Sequence, residues 1–334
     1  MLDNPQINPK LYFIVLDNET IVFYCILYTR KYNFRRRNVE KIVLRPLAKI
    51  NLGLDVVGKR EDGYHEVRMV MQTLALHDRL VMEKMADGAV TMKTNLPYLP
   101  TGRTNLVVQA VELLREEFGI SEGIRINLKK VIPVAGGMAG GSTDAAAALY
   151  GMNRMFSLGL SKKQLMELGV KLGADVPYCI MRGTALAEGI GEKLTPLCSV
   201  PQVAVLVVKP AFSVSTAKVY EAFDQMEDVQ HPDIDGLLDA IREKDLRKIC
   251  QNMGNNLADV TKSMYPVIGD IEKKMEELGA MKAMMSGSGP TVFGFFENQE
   301  QANVVKEEFL HRKNISQVYV TSVYNVKREV RQNG

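Results

Sequence analysis

The sequence predicts an α+β protein of two domains, and three observations carry that expectation. The chain has 334 residues, 46% hydrophobic and 24% charged, more than a single domain usually needs and enough to bury a substantial core. Strand-like and helix-like segments alternate along it, without repeats or low-complexity tracts. Between one such pair, in "PVAGGMAGGSTDAAAAL" at residues 133–149, a glycine-rich loop yields abruptly to alanines.

In chain order, residues 1–40 stand apart. "LYFIVL" and "IVFYCILY" are apolar but broken by "DNET", and "RKYNFRRR" follows. These runs are too short to span a bilayer and lack the charged start of a signal peptide. They are expected to be an N-terminal extension, disordered or an over-called start, preceding domains at 41–200 and 201–334. "KIVLRPLAKINLGLDVV" reads as extended. "NLVVQAVELLREEFG" has apolar residues at helical spacing and a glycine stop. "GIRINLKKV" alternates like a half-buried strand, and helices are expected at about 142–156 and 161–172. "VAVLVVKP" is a buried strand, followed by helices near 215–226, 233–252 and 263–278. Strands at "KAMMSGSG" and "TVFGFF", a helix after Asn298 and a strand at "SQVYVTSV" complete the pattern.

Charge and cysteine usage narrow the function. The net charge is +3, but residues 1–40 hold six Lys/Arg and four Asp/Glu, which leaves +1 for the remainder. A near-neutral body argues against nucleic-acid binding. Cys25, Cys179, Cys198 and Cys250 are widely separated and form no CxxC, so neither a disulfide framework nor a zinc site is indicated. A cytoplasmic protein, off the membrane and monomeric or weakly dimeric, is expected.

The glycine loop is where chemistry is expected. Glycines admit positive φ and close backbone approach, and Ser142 and Thr143 are placed to cap the following helix. Several N–H groups and the positive end of the helix dipole then converge on one spot, a site for nucleotide phosphates. Alanines favour the helix and let it pack closely. The loop lacks GK[ST] and so is not a Walker A loop, nor does it fit the dinucleotide fingerprint. Lys49 lies among apolar neighbours in "LAKINLGL", where a charge needs a partner or a ligand. Asp175 sits in the turn "GADVP". Asp144 reads as a first-turn helix stabiliser, and Met253, Met281, Met284 and Met285 as core.

The segment P-V-A-G-G-M-A-G-G-S-T resembles the P-x-x-x-G-L/M-x-x-G/A-S-S/T phosphate loop of the GHMP small-molecule kinases. "AKINLGLDVVGKREDGYHEV" (48–67), "LGADVPYCIMRGTALAEGIGEKL" (172–194), "KPAFSVSTAKVYEAF" and "MSGSGPTVFGFF" extend the likeness over roughly residues 41–326. They point to the branch that phosphorylates the 2-hydroxyl of a cytidine diphosphate-linked methylerythritol in non-mevalonate isoprenoid synthesis. The resemblance implies a two-domain fold with the active site in the interdomain cleft. It implies ATP, with Mg²⁺, held by Pro133, Val134, Ala135, Gly136, Gly137, Met138, Ala139, Gly140, Gly141, Ser142 and Thr143. It implies Asp175 as catalytic base with Lys49 as its partner. His65 would read the cytosine edge, with Tyr64 beside it and Tyr220 as a second stacking face, while Asn51 and Thr216 contact the polyol or phosphates. The metal's protein ligands are not assignable. "SGSGPTVF" (286–293) resembles the family's other glycine loop. Another GHMP kinase, for homoserine or mevalonate, and a catalytically silent nucleotide-binding regulator are the alternatives.

Overall fold

The computed structural model describes residues 11–16, 20–25 and 39–326. The chain folds into two compact units, each built from separate stretches of sequence. Met1–Pro46, Asp78–Val131 and Gly141–Val176 form one, and Leu47–His77, Ile132–Gly140 and Pro177–Gly334 the other. The units therefore differ from a single cut near residue 200, because the hairpin over residues 47–77 belongs with the C-terminal part of the chain.

In the first unit a sheet of six strands among the described residues runs β1 (Leu11–Leu16), β2 (Thr20–Cys25), β3 (Val39–Leu44), β6 (Arg79–Met85), β8 (Gly123–Lys129), β7 (Val90–Thr94). All neighbours are antiparallel except β7 and β8. Within the extension, expected to be disordered or an over-called start, β1 and β2 pair Leu11 with Cys25 and Ile21 with Val43. Both segments are rich in β-branched and aromatic residues, which favour pleated backbone over coil. Apart from Val39 and Glu40, which open β3, the rest of the extension lies outside the described residues.

Helix α1 (Leu106–Phe118) ends at the expected glycine and opens on a cap that the sequence reading did not name. Asn105 Oδ1 accepts from Val107 N, and Gly119 ends the helix at φ 60°. Helix α2 (Gly140–Met155) buries Ala145, Ala146, Ala147, Ala148 and Leu149 in succession. A Cβ on its Gly151 would lie 2.7 Å from Met82 Sδ and 3.0 Å from Leu44 Cδ1, so the small residues let α2 press onto the sheet. The helix starts two residues before the expected Ser142, which places Ser142 and Thr143 within its first turn rather than at the cap. Helix α3 (Lys162–Val170) opens on a capping box of Ser161 and Gln164.

The second unit contains a long hairpin, β4 (Leu47–Lys59) and β5 (His65–His77), closed by "REDGY", in which Arg60 N donates to Tyr64 O and Gly63 takes φ 85°. Helix α4 (Val176–Met181) leads into β9 (Thr184–Glu188) and β10 (Lys193–Pro196). The sheet order is β10-β9-β5-β4-β12, with β12 being Gly254–Asn255. A second sheet has the order β13-β14-β11-β15, from β11 (Ala204–Pro210), β13 (Lys282–Met285), β14 (Val292–Phe296) and β15 (Ile315–Ser322). Its core joins Leu206, Val208, Met285, Val292 and Phe296 to Ile268, Ile271 and Met275 of α9 (Val267–Glu277) and Phe309 of α10 (Gln299–Leu310). Helix α5 is Thr216–Phe223. The single helix expected at 233–252 is two, α6 (Ile234–Glu243) and α7 (Leu246–Asn252). Lys244 turns left-handed at φ 56°, and Asp245 caps α7 by accepting from Arg247 N and Lys248 N. Helix α8 (Leu257–Met264) has no counterpart among the expected elements.

A buried charge cluster ties the first unit together. Lys130 Nζ donates to Asp78 Oδ2 and, at 2.7 Å, to Asp144 Oδ2, and Asp78 Oδ1 accepts from Val131 N. Asp144 is thus a buried partner of Lys130, beyond the first turn of α2, and not the first-turn helix stabiliser that its position in the sequence suggests. One ammonium faces two carboxylates, and Asp144 Oδ1 is buried without a hydrogen-bond partner. Burial drives the Asp144 carboxyl well above its usual range. Its folded pKa is raised, so its contribution to stability is full below the ordinary value of 3.8 and is lost as pH rises through the folded pKa. Asp144→Asn is therefore expected to gain stability relative to wild type as pH climbs above about 4. Lys130→Met should destabilise by about 3–5 kcal/mol at neutral pH, since it strips two buried carboxylates of their shared ammonium. Denaturant melts of both variants between about pH 4 and 8 check this. A stability difference between wild type and Asp144→Asn that does not change with pH contradicts it.

Candidate active site

Strand β4 sets the floor of the site in the second unit. Lys49 and Asn51, two residues apart on a strand, share one face. Both are buried, and Lys49 Nζ donates to Asn51 Oδ1 at 2.8 Å. Asn51 Nδ2 faces Met69 Sδ at 3.4 Å. The ladder to β5 shifts register between Leu47 and Lys49 and again between Asn51 and Gly53. These irregularities fall on either side of the two polar residues, as bulges that re-aim side chains do.

The glycine loop is fastened onto this floor. Lys49 N donates to Met138 O at 3.3 Å, and Ser286 Oγ donates to Gly137 O at 2.9 Å. A Cβ on Gly137 would lie 2.0 Å from Ser286 O, and one on Gly136 would lie 2.6 Å from Thr291 Oγ1. The two glycine-rich loops, 133–140 and 286–291, therefore meet with no room for a side chain on either glycine. Positive φ is distributed differently from the expectation. Gly137 has it at 74°, but so do Ala135 at 49° and Ala139 at 52°, while Gly136, Gly140 and Gly141 do not. In Gly136 the missing Cβ serves close approach alone.

The second loop is itself braced. Asn255 Nδ2 donates to Met285 O at 3.1 Å and to Gly287 O at 2.8 Å, and Thr216 Oγ1 lies 2.8 Å from Ser288 Oγ. Thr291 Oγ1 is buried without a hydrogen-bond partner. Thr216 is thus joined to the second glycine-rich loop.

A third cluster forms where the hairpin meets α5. The rings of His65 and Tyr220 are 4.6 Å apart and inclined at 38°. His65 Nε2 lies 2.6 Å from Asp224 Oδ1, and Lys59 Nζ lies 2.5 Å from Asp224 Oδ2. Hydrogen bonds from His65 first and Lys59 second hold the Asp224 carboxyl below the usual range. Tyr64, at the end of the turn, is 60% exposed and open to a ligand from solvent.

In the first unit, Asp175 is half-buried in the turn that enters α4, where Val176 N donates to Gly173 O. Gly140, Gly141, Ser142 and Thr143 make the first turn of α2, whose leading N–H groups have no i−4 carbonyl. Among the described residues no cluster of three His, Cys, Asp or Glu side chains is set to hold a metal, and Cys179, Cys198 and Cys250 are free thiols. No helix there is long and apolar enough to cross a membrane.

The structure thus brings Lys49 and Asn51 together with residues 133–140, Thr216 with Ser288, and His65 with Tyr220. Sequence reasoning missed Asp224, Lys59 and Asn255, and reached Ser286 and Thr291 only as members of the segment "SGSGPTVF". Asp224 carried a signal: a carboxylate at a helix C-terminus opposes the dipole and needs cationic partners. Asn255 acts on backbone across a long sequence separation and left no local trace.

Along most of its length the chain is similar to known proteins. The GHMP kinases N terminal domain matches residues 105–183 and the GHMP kinases C terminal domain residues 237–315. The 4-diphosphocytidyl-2-C-methyl-D-erythritol kinase of Lachnospira eligens is 53% identical over 287 residues, 86% of this chain and 99% of that protein. That of Lachnoclostridium phytofermentans is 49% identical, again over 86% and 99%. A crystal structure of 4-(cytidine 5'-diphospho)-2C-methyl-D-erythritol kinase superposes with a TM-score of 0.72 at 32% identity, covering 84% of this chain and 98% of that one. A homoserine kinase from Cytophaga hutchinsonii, 19% identical with a TM-score of 0.70 over 88% and 98%, shares the fold. The chain belongs to the GHMP kinases and, within them, to the 4-diphosphocytidyl-2-C-methyl-D-erythritol kinase family.

Proposed function

We propose that the protein transfers the γ-phosphoryl group of ATP to the 2-hydroxyl of 4-diphosphocytidyl-2-C-methyl-D-erythritol. The observation that carries the substrate assignment is the pairing of His65 with Tyr220: an imidazole that can hydrogen-bond a base edge beside an aromatic face that can stack on it.

Residues 133–143 hold the triphosphate through backbone N–H groups, helped by the N-terminus of α2. Asp175 accepts the proton as the substrate oxygen forms its bond to the γ-phosphorus and the bond to the β-phosphate oxygen breaks, releasing ADP. Lys49, kept buried and oriented by Asn51, supplies positive charge for this step. Asn51 and Thr216 contact the substrate's polyol or phosphates, and Tyr64 stands beside His65 at the base. Magnesium supplies charge neutralisation on the nucleotide phosphates. The Ser142 hydroxyl, in the first turn of α2, would be a protein partner for that ion. The boundary near residue 200, which lies between the two family matches, separates the family's domains. A cytoplasmic monomer or weak dimer remains our reading.

Two tests follow. His65→Ala should lower kcat/KM for the cytidyl substrate about tenfold to a hundredfold, by leaving polar base atoms unsatisfied at about 1–3 kcal/mol each, with ATP binding unchanged. Asp175→Asn should keep both ligands bound and abolish most turnover. Steady-state kinetics with calorimetric titration decide: equal weakening of both ligands by His65→Ala, or near-normal turnover in Asp175→Asn, sinks the assignment. Separately, Gly137→Ala should weaken ATP at least about tenfold, because its Cβ would strike Ser286 O and oppose a φ of 74°. Unchanged ATP affinity in that variant, if folded, moves the nucleotide elsewhere.

A further inference from the structure

Asp224 stands where an anion is disfavoured. It is the C-cap of α5, its N–H bonded to Ala222 O and Tyr220 O, facing the negative end of the helix dipole. Two donors from the hairpin offset this, His65 and Lys59, each on its own carboxylate oxygen. The ring that packs against His65 is Tyr220, one turn earlier on the same helix.

The carboxylate decides where the His65 proton sits. An ionised Asp224 can only accept, so at 2.6 Å the Nε2 of His65 must carry the hydrogen. In the neutral imidazole Nδ1 is then a bare acceptor. Hydrogen-bonding of one ring nitrogen setting the state of the other is a general property of histidine. Cytosine presents an amino group on its pairing edge and uracil a carbonyl in the same place. An Nδ1 locked as acceptor favours the first and repels the second.

We propose that Asp224 is a positioning residue for pyrimidine choice: it holds His65 in the Nε2–H tautomer, so that Nδ1 accepts from the cytosine amino group and discriminates against uracil. The proposal rests on the reading of His65 as the base contact. Lys59 keeps the Asp224 carboxylate ionised and its second oxygen occupied, which leaves the first for the ring.

The test combines a spectroscopic readout with kinetics on the full chain. With four histidines in the sequence, ¹⁵N-histidine labelling resolves the His65 ring, assigned by the signal lost in His65→Gln. Wild type should show the Nε2–H tautomer. Asp224→Ala should shift His65 to a mixture, raise KM for the cytidyl substrate about tenfold, the worth of one hydrogen bond, and narrow the preference over the uridine diphosphate analogue. Its kcat and KM for ATP should stay near wild type. Asp224→Asn, which retains an oxygen able to accept from Nε2–H, should recover the tautomer and most of KM, as a merely structural ion pair with Lys59 would not. An unchanged tautomer in Asp224→Ala overturns the proposal while leaving His65 as the base contact. A shifted tautomer with unchanged KM overturns the reading of His65 itself, and the proposal with it.

Discussion

The contact on which the site depends is backbone against backbone: Gly137 meets the Ser286 carbonyl so closely that a Cβ would lie 2.0 Å from it. Two loops far apart in sequence are locked face to face there, and Ser286 Oγ adds a bond to the Gly137 carbonyl. The loop is thus gripped from outside through its carbonyls, at Gly137 by Ser286 and at Met138 by Lys49 N. This also explains why strain is tolerated nearby. Ala135 and Ala139 hold left-handed backbone that costs an L-residue on the order of 1 kcal/mol each. Such strain persists because the surrounding bonds over-determine the loop.

Strand β4 distributes function from this anchor. Its early residues place Lys49 and Asn51 under the loop, and its far end delivers Lys59 to Asp224. Between them Gly53 lets α6 approach, since a Cβ there would lie 2.8 Å from Ile234 and Leu237 side-chain atoms. Asp55 accepts from Asn256 Nδ2 and pairs with His231, which holds the segment around β12 beside the strand. One strand with three register shifts thus supplies the floor, the helix contact and the hairpin that carries His65.

What was legible in the sequence is what local chemistry writes. Asn105 and Gly119 bracket α1 by capping rules that need no tertiary contact, and the alanines of α2 announce close packing. Lys49 stands out as a charge in an apolar run, which marks a position that needs a partner. The break at Lys244 leaves no such mark, because a left-handed lysine has no distinctive composition, although Asp245 before Leu246 is placed as a cap. Asp144 is misleading in isolation because its buried partner, Lys130, comes from just past β8 and its second neighbour, Asp78, from far upstream. The distribution of positive φ lies beyond composition: glycine permits it, but at Gly136 the chain uses the missing side chain instead. The hairpin of β1 and β2 hides behind the irregular character of the sequence around it.

The most direct test of the central claim is the product itself. Purified chain would be incubated with ATP, magnesium and 4-diphosphocytidyl-2-C-methyl-D-erythritol, and the mixture followed by ³¹P and ¹³C NMR. The account predicts a new phosphomonoester resonance coupled to C2 of the methylerythritol, appearing as ADP accumulates, and none when homoserine or mevalonate replaces the cytidyl substrate. Phosphorylation of either of those compounds in preference, or ADP release with no phosphate at C2, would contradict it.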